Sequence, residues 1–271
     1  MSCRSIFLLF FLAGGAAAEQ SRLDVAVEAL RAGRFEEARA RLETIVAALP
    51  SHARAAAFLA TAEIRTGDVE RGIARAERLL AADAGVLAAD LHELLGQAEM
   101  EQRRWIRAEH HWRALIEERP GSEEAHYRLA CTLAQQGRGQ DALEAAKRAI
   151  GINPRRSDAM ALRGNLLAAD GRAAEAESEW RRALAIDDNN AEALAGLAVH
   201  LRAREPEQAL EYARRAVEAT RWRSSAAIRV LALVHRSRGE VDKASEVIRK
   251  GVEALSDDPA LAAELRALQR R

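Results

Sequence analysis

Residues 123–156 read EEAHYRLACTLAQQGRGQDALEAAKRAIGINPRR, and residues 157–190 read SDAMALRGNLLAADGRAAEAESEWRRALAIDDNN. Laid one over the other, they place Ala130 on Gly164, Gly137 on Gly171, Ala142 on Ala176 and Ile150 on Leu184, a step of 34 residues. The same step links Gly33 to Gly67, Pro120 to Pro154 and Ala108 to Ala142. Self-similarity at one fixed period predicts a stack of identical supersecondary units. Units starting at Glu19, Ala53, Ala89, Glu123, Ser157, Ala191 and Ser225 divide the chain into seven repeats, 19–52, 53–86, 89–122, 123–156, 157–190, 191–223 and 225–258. Two residues are inserted before the third and one is missing from the sixth.

Position 8 of the unit holds Ala26, Ala60, Gly96, Ala130, Gly164, Ala198 and Ala232. Position 20 holds Ala38, Gly72, Ala108, Ala142, Ala176, Ala209 and Ala244. Interiors pack at crystal-like density, so two helices approach closely only where neither carries a large side chain. These two positions are therefore the expected crossing points. Between them Gly33, Gly67, Gly137, Gly171 and Gly239 supply the left-handed residue that ends a helix. Pro50, Pro120, Pro154 or the cluster Asp187 to Asn190 stops the second helix. Each unit reads as helix, tight turn, helix. The aliphatic row at position 28 (Val46, Leu80, Ile116, Ile150, Leu184, Val217, Val252) is expected to face inward and join each unit to the next.

Composition agrees with an all-helical chain. Of 271 residues, 49% are hydrophobic but only 4% aromatic, so small side chains must fill the interior, and the wealth of Ala, Leu, Glu and Arg favours helix. Lys plus Arg equals Asp plus Glu at 41 each, which leaves no long-range field to draw in nucleic acid or an anionic membrane.

The pattern resembles the tetratricopeptide repeat. Leu129, Ala130, Gly137, Ala142, Ala149 and Pro154 carry the signature in the fourth repeat, and Gly164, Gly171, Ala176 and Ala183 carry it in the fifth, where Arg163 stands in place of the family's Leu. The resemblance implies an all-α solenoid of tandem helix-turn-helix repeats forming a right-handed superhelix over residues 19–258. Residues 259–271, with Leu261, Leu265 and Leu268 at helical spacing, are expected to form a C-terminal capping helix that shields the last repeat.

The first eighteen residues have a different logic. Arg4, the apolar run from Ile6 to Ala13 and the small residues Ala16, Ala17 and Ala18 form the pattern of a cleavable signal peptide at 1–18, with an apolar stretch too short to span a bilayer. A bacterial protein of the periplasm or secreted medium is expected. Cleavage would remove Arg4 and Cys3, taking Lys plus Arg from 41 to 40 against 41 acids, for a net charge of −1. Cys131 would then be the single thiol, so no internal disulfide can form.

Chemistry is sparse. The histidines (His52, His92, His110, His111, His126, His200, His235) contain no HExxH pair, and adjacent His110 and His111 point to different sides of a helix, so solvent-facing or rim histidines and no metal are expected. Cys131 lacks a histidine on its own helical face, since His126 is five residues away. No phosphate loop or nucleophile elbow occurs, and neither an enzymatic activity nor a cofactor is expected. Trp112 and Trp180, both at position 24, read as core wedges, whereas Trp222 is the one aromatic expected to be exposed as a partner contact.

By resemblance, positions 2, 5, 9, 12 and 13 of the first helices line a concave groove. They give Glu93, Gln97, Tyr127, Cys131, Asn165, Arg202, Arg229 and Arg236 as candidate partner-binding residues, with Asn165 and Gln97 holding a peptide backbone and Tyr127 its side chains. The expected role is a protein-protein interaction scaffold of the cell envelope whose partner is a protein or peptide. The alternative is a structural subunit that self-associates or builds an envelope assembly with its groove unoccupied.

Overall fold

A computed structural model describes residues 20–82, 84–256 and 258–269, and the backbone alone at 268 and 269. The leader expected at 1–18 and the side chain of Leu268 lie outside the described residues. The chain forms two compact units, Met1–Pro120 and Gly121–Arg271. In the first, α1 (20–31) is followed by α2 (Phe35–Ala48), α3 (Ala53–Arg65), α4 (Val69–Ala81), α5 (Ala88–Glu101) and α6 (Trp105–Glu118). In the second are α7 (Glu123–Gln135), α8 (Gly139–Ile152), α9 (Ser157–Ala169), α10 (Ala173–Ile186), α11 (Ala191–Leu201), α12 (Pro206–Ala219), α13 (Ser225–Ser237), α14 (Val241–Ala254) and α15 (Pro259–Gln269). No strand occurs among the described residues. The two residues inserted ahead of the third repeat are absorbed by a 3₁₀ turn, Gly85–Leu87.

Within each unit, successive helices pack on one another, and within each repeat the pairing is made at positions 8 and 20. All fourteen residues at those positions are buried. Helix starts are held by local chemistry. Ser122, Asn190 and Ser224 accept the amides of Ala125, Ala193 and Ala227, and His52 Nδ1 accepts that of Ala55. Asn190 also donates from Nδ2 to Ser157 Oγ and Asp158 Oδ1, tying α11 to the start of α9. The position-28 row is half-buried rather than interior, apart from Val217. It acts as a lap joint: Leu184 packs on the core of the fifth repeat and on the core shared by the sixth and seventh.

Tryptophan sets a second rule. Position 24 is Trp112 in the third repeat and Trp180 in the fifth, and these two repeats alone carry Gly at position 8. A Cβ on Gly96 would lie 2.8 Å from Trp112, and one on Gly164 would lie 2.6 Å from Trp180. Trp180 is hemmed in from the other side as well, where a Cβ on Gly196 would sit 2.3 Å from its ring. The second, fourth and sixth repeats pair Ala60, Ala130 and Ala198 with Ala76, Ala146 and Ala213 instead. The volume is shared between positions 8 and 24: an indole at one demands a bare backbone at the other. Both indole N–H groups are satisfied, Trp112 by Met100 Sδ at 3.2 Å and Trp180 by Asn165 Oδ1 at 3.0 Å.

The interior also accommodates charge. Position 11 is Leu in three repeats but Glu63 in the second and Glu99 in the third, both fully buried. Arg75 grips Glu63 with two bonds of 2.8 Å and Arg71 adds a third contact, while Arg104 and Arg107 reach Glu99. Arg163, the residue that departs from the family pattern, donates to Glu179 Oε1 at 2.7 Å. A buried carboxylate is tolerated only when paired, so these arginines follow from the acids they meet.

Two more expectations are corrected. Trp222 is half-buried, packed on the core of the sixth and seventh repeats with Lys250 Nζ 4.1 Å from its ring centre, because two successive positive-φ residues, Arg221 and Trp222, turn the side chain inward. His111 and His235 are buried, not at the rim. His235 occupies the interior position 11 and is satisfied by Glu240 Oε2 at 2.6 Å, and His111 is satisfied by His92. The capping-helix residue Leu261 is fully buried on the last repeat and Leu265 packs half-buried beside it.

Replacing both Gly164 and Gly196 by Ala lowers stability by about 2 kcal/mol in chemical denaturation, since Trp180 cannot retreat from either methyl. In a Trp180→Ala background the same pair raises stability, because only the helix-propensity gain of Ala over Gly remains. At the turn of the third repeat Arg103 adopts φ 56° where Gly33, Gly67, Gly137, Gly171 and Gly239 occupy the equivalent place. Arg103→Gly therefore raises the urea midpoint, corresponding to roughly 1 kcal/mol.

Candidate functional site

The second unit contains a trough of about 640 Å³ running along α11. Its floor is Ala195, Gly196 and Val199 of α11, with Ala168 and Asn165 of α9 on one side and Ala226 and Val230 of α13 on the other. The trough exists because three first helices present small residues to the same side, so no large side chain fills the space between them. Glu192 stands at one end of α11 and Arg202 at the other.

The charges at these ends lack counter-charges. Glu192 lines the trough, and its carboxylate forms no ion pair or hydrogen bond among the described residues. Burial of that carboxyl, and then the neighbouring negative charge of Asp158, hold it above the ordinary carboxylate range. Arg202 donates to the carbonyl of Val199 and forms no ion pair among the described residues. Asn165 is exposed, and because its Oδ1 accepts from Trp180, its amide N–H groups are the part left toward the trough.

The other sequence candidates are placed differently. Tyr127 and Cys131 lie together on α7, where the hydroxyl donates to the thiol. Burial pushes the Cys131 thiol up to about 11 and also raises the Tyr127 phenol. The ring of Tyr127 is covered by the guanidinium of Arg156 at 4.4 Å and flanked by that of Arg128 at 5.7 Å, so its face is already occupied. Arg229 on α13 is bound to Glu264 of the capping helix at 3.3 Å. Arg236 is exposed in the last turn of α13. Glu93 and Gln97 lie on α5 of the first unit, Glu93 exposed and Gln97 donating to Glu101 at 3.3 Å. Of the eight, Asn165 and Arg202 line the trough. Glu192 was missed, although it holds position 2 of the sixth repeat; its significance is the absence of a partner, which spacing does not reveal.

A histidine cluster lies in the first unit. His92 Nδ1 and His111 Nδ1 are 3.1 Å apart, and the ring of His110 stands 5.2 Å from that of His111. Burial first, then the neighbouring His92, lowers His111 to about 4, and burial lowers His92 as well, so at neutral pH the two rings share one Nδ1 proton as a neutral pair. Among the described residues no group of three or more His, Cys, Asp or Glu is arranged to hold a metal ion, and no helix is long and apolar enough to cross a membrane.

Comparison with known proteins adds the family. Two family profiles, both described as tetratricopeptide repeat, match the chain, one over residues 93–157, 127–192 and 194–259 and the other over 29–98. A tetratricopeptide repeat protein from Parabacteroides merdae superimposes with a TM-score of 0.73 at 14% identity, covering 94% of this chain and 100% of its own. MamA AMB-1 gives 0.56 at 24% identity over 64% of this chain and 93% of its own. The Cut9–Hcn1 hetero-tetramer of the APC/C gives 0.64 at 14% identity over 87% of this chain and 46% of its own. At these identities the likeness is one of fold. No curated protein matches the sequence.

Cys131 should react with a disulfide reagent about 100-fold more slowly at pH 8 in the native protein than in the urea-unfolded chain, since a rise from 9 to about 11 cuts the thiolate fraction by that factor. A stopped-flow absorbance assay checks it. Equal rates would show that the thiol is open.

Proposed function

The chain belongs to the tetratricopeptide repeat family, whose members are generally protein-interaction scaffolds, and from that premise we propose that it is an exported adaptor of the bacterial cell envelope that holds a segment of a partner protein in the trough along α11. The trough carries the reading. It has an apolar floor of small residues, a polar donor in Asn165 and charges of both signs at its ends. A small-residue floor lets a peptide backbone approach closely, and convergent polar groups fix its orientation. Export rests on the leader pattern at 1–18. No reaction is proposed for the groove, since its one thiol is protonated and bonded to Tyr127.

The test is photo-crosslinking in intact cells, with a benzophenone amino acid at Ala195 in the trough and, as the control, at Lys147 on the exposed face of α8. One dominant partner captured from Ala195 and not from Lys147, together with a mature amino terminus at Glu19, supports the reading. Capture of the chain's own copies from Ala195 would instead make it a self-assembling subunit. A retained Met1 would remove the export step, and identical capture from both positions would remove the trough.

A further inference from the structure

Many charges of the second unit are paired within it, while others, such as Arg148, Glu205, Glu211 and Arg214, are exposed at the surface without an ion pair among the described residues. Arg156 meets Glu124, Arg163 and Arg182 meet Glu179, Arg181 and Arg204 meet Glu177, and Arg238 meets Glu207 and Glu240. Glu192 and Arg202 differ from the unpaired surface charges in their place: two opposite charges without ion pairs occupy the two ends of one cavity. Asp158 strengthens the acidic end: its Oδ1 accepts from Asn190, but no cation reaches it among the described residues. Glu192 also lies in the first turn of α11, where the helix dipole favours an acid, yet that weak attraction accounts for neither the second acid beside it nor the unneutralised Arg202 at the far end.

Resting on the trough reading above, we propose that the occupant is an extended peptide segment with a basic side chain at one end, an acidic side chain four or five residues away, and small apolar residues between them. The spacing comes from geometry. Glu192 and Arg202 are ten residues apart on α11 and its cap, which at 1.5 Å per residue is about 15 Å. An extended chain rising about 3.3 Å per residue covers that distance in roughly four to five residues. The basic side chain meets Glu192 and Asp158, the acidic one meets Arg202, and the intervening side chains rest on Ala195, Gly196 and Val199. The free amide N–H groups of Asn165 donate to a peptide carbonyl. Two charge pairs in opposite senses at the ends of a trough fix the direction of the peptide as well as its composition.

The experiment uses the purified chain and an array of fluorescent decapeptides of Ala, Val and Leu in which one Arg and one Asp are placed at every spacing and in both orders. Fluorescence anisotropy is expected to show a maximum at a spacing of four or five in one order only, weakening with added salt. Glu192→Arg or Arg202→Glu alone reduces that binding at least tenfold, and the double exchange prefers the reverse order. Ala195→Trp, with a circular dichroism melt matching wild type, abolishes binding. Binding that Ala195→Trp removes but that ignores spacing and order would overturn the charge pattern and leave the trough as the binding site. Binding that survives Ala195→Trp would overturn the trough itself, and an array without any binder would overturn the proposed occupant while the cellular crosslink still decides the adaptor reading.

Discussion

The close approach of the two helices in each repeat is the constraint on which the rest depends. Fourteen buried alanines and glycines at two positions bring each pair of backbones together, and every other packing choice is made in the space that remains. The exchange between positions 8 and 24 shows how tight that space is. Where the second helix carries Trp112 or Trp180, the first gives up even a methyl group, and where it carries Ala76, Ala146 or Ala213 the methyl returns. A repeat fold of this kind has no single core: its buried residues fall into clusters shared between neighbours, and its stability is a sum over adjacent helices.

Because the scaffold is assembled from small residues, it tolerates unusual ones. Glu63, Glu99 and Glu179 are buried at places where an aliphatic residue would serve, and each is matched by arginines of its own repeat. Removing an arginine while leaving its acid would strand a buried charge, whereas exchanging the whole set for apolar residues could be nearly neutral. The histidine pair His92 and His111 follows the same logic in uncharged form, each ring serving as the other's partner. These polar contacts specify which helix faces which.

The surface follows from the interior. Small side chains on α11 continue onto its exposed face as Ala195, Gly196 and Val199, and flanking first helices with equally small residues leave the trough open. The feature that makes the trough a binding candidate is the pair of charges at its ends, an acid and a guanidinium that share one cavity and lack counter-charges among the described residues. The glycine row of the turns belongs to the same economy, with Arg103 held in a left-handed conformation because the neighbouring helices fix the turn more firmly than the residue resists it.

The period, the helix pairs, their breakers and the small crossing residues are legible in the sequence, because each depends on spacing along the chain: a helix needs its stop signal and a crossing needs a missing side chain. Asn165 and Arg202 are reachable in the same way, from their register positions on the first helices. Whether a polar side chain is spent internally was decided only by tertiary contacts. Tyr127 lies under Arg156, twenty-nine residues away, Arg229 is taken by Glu264 of the capping helix, and Trp222 is folded inward, while Glu192, unremarkable in the string, keeps its charge unmatched. Periodicity locates a residue on a helix, but neutralisation and burial depend on which groups the folded helices bring within a few ångströms of it, and those groups are set by packing across repeats.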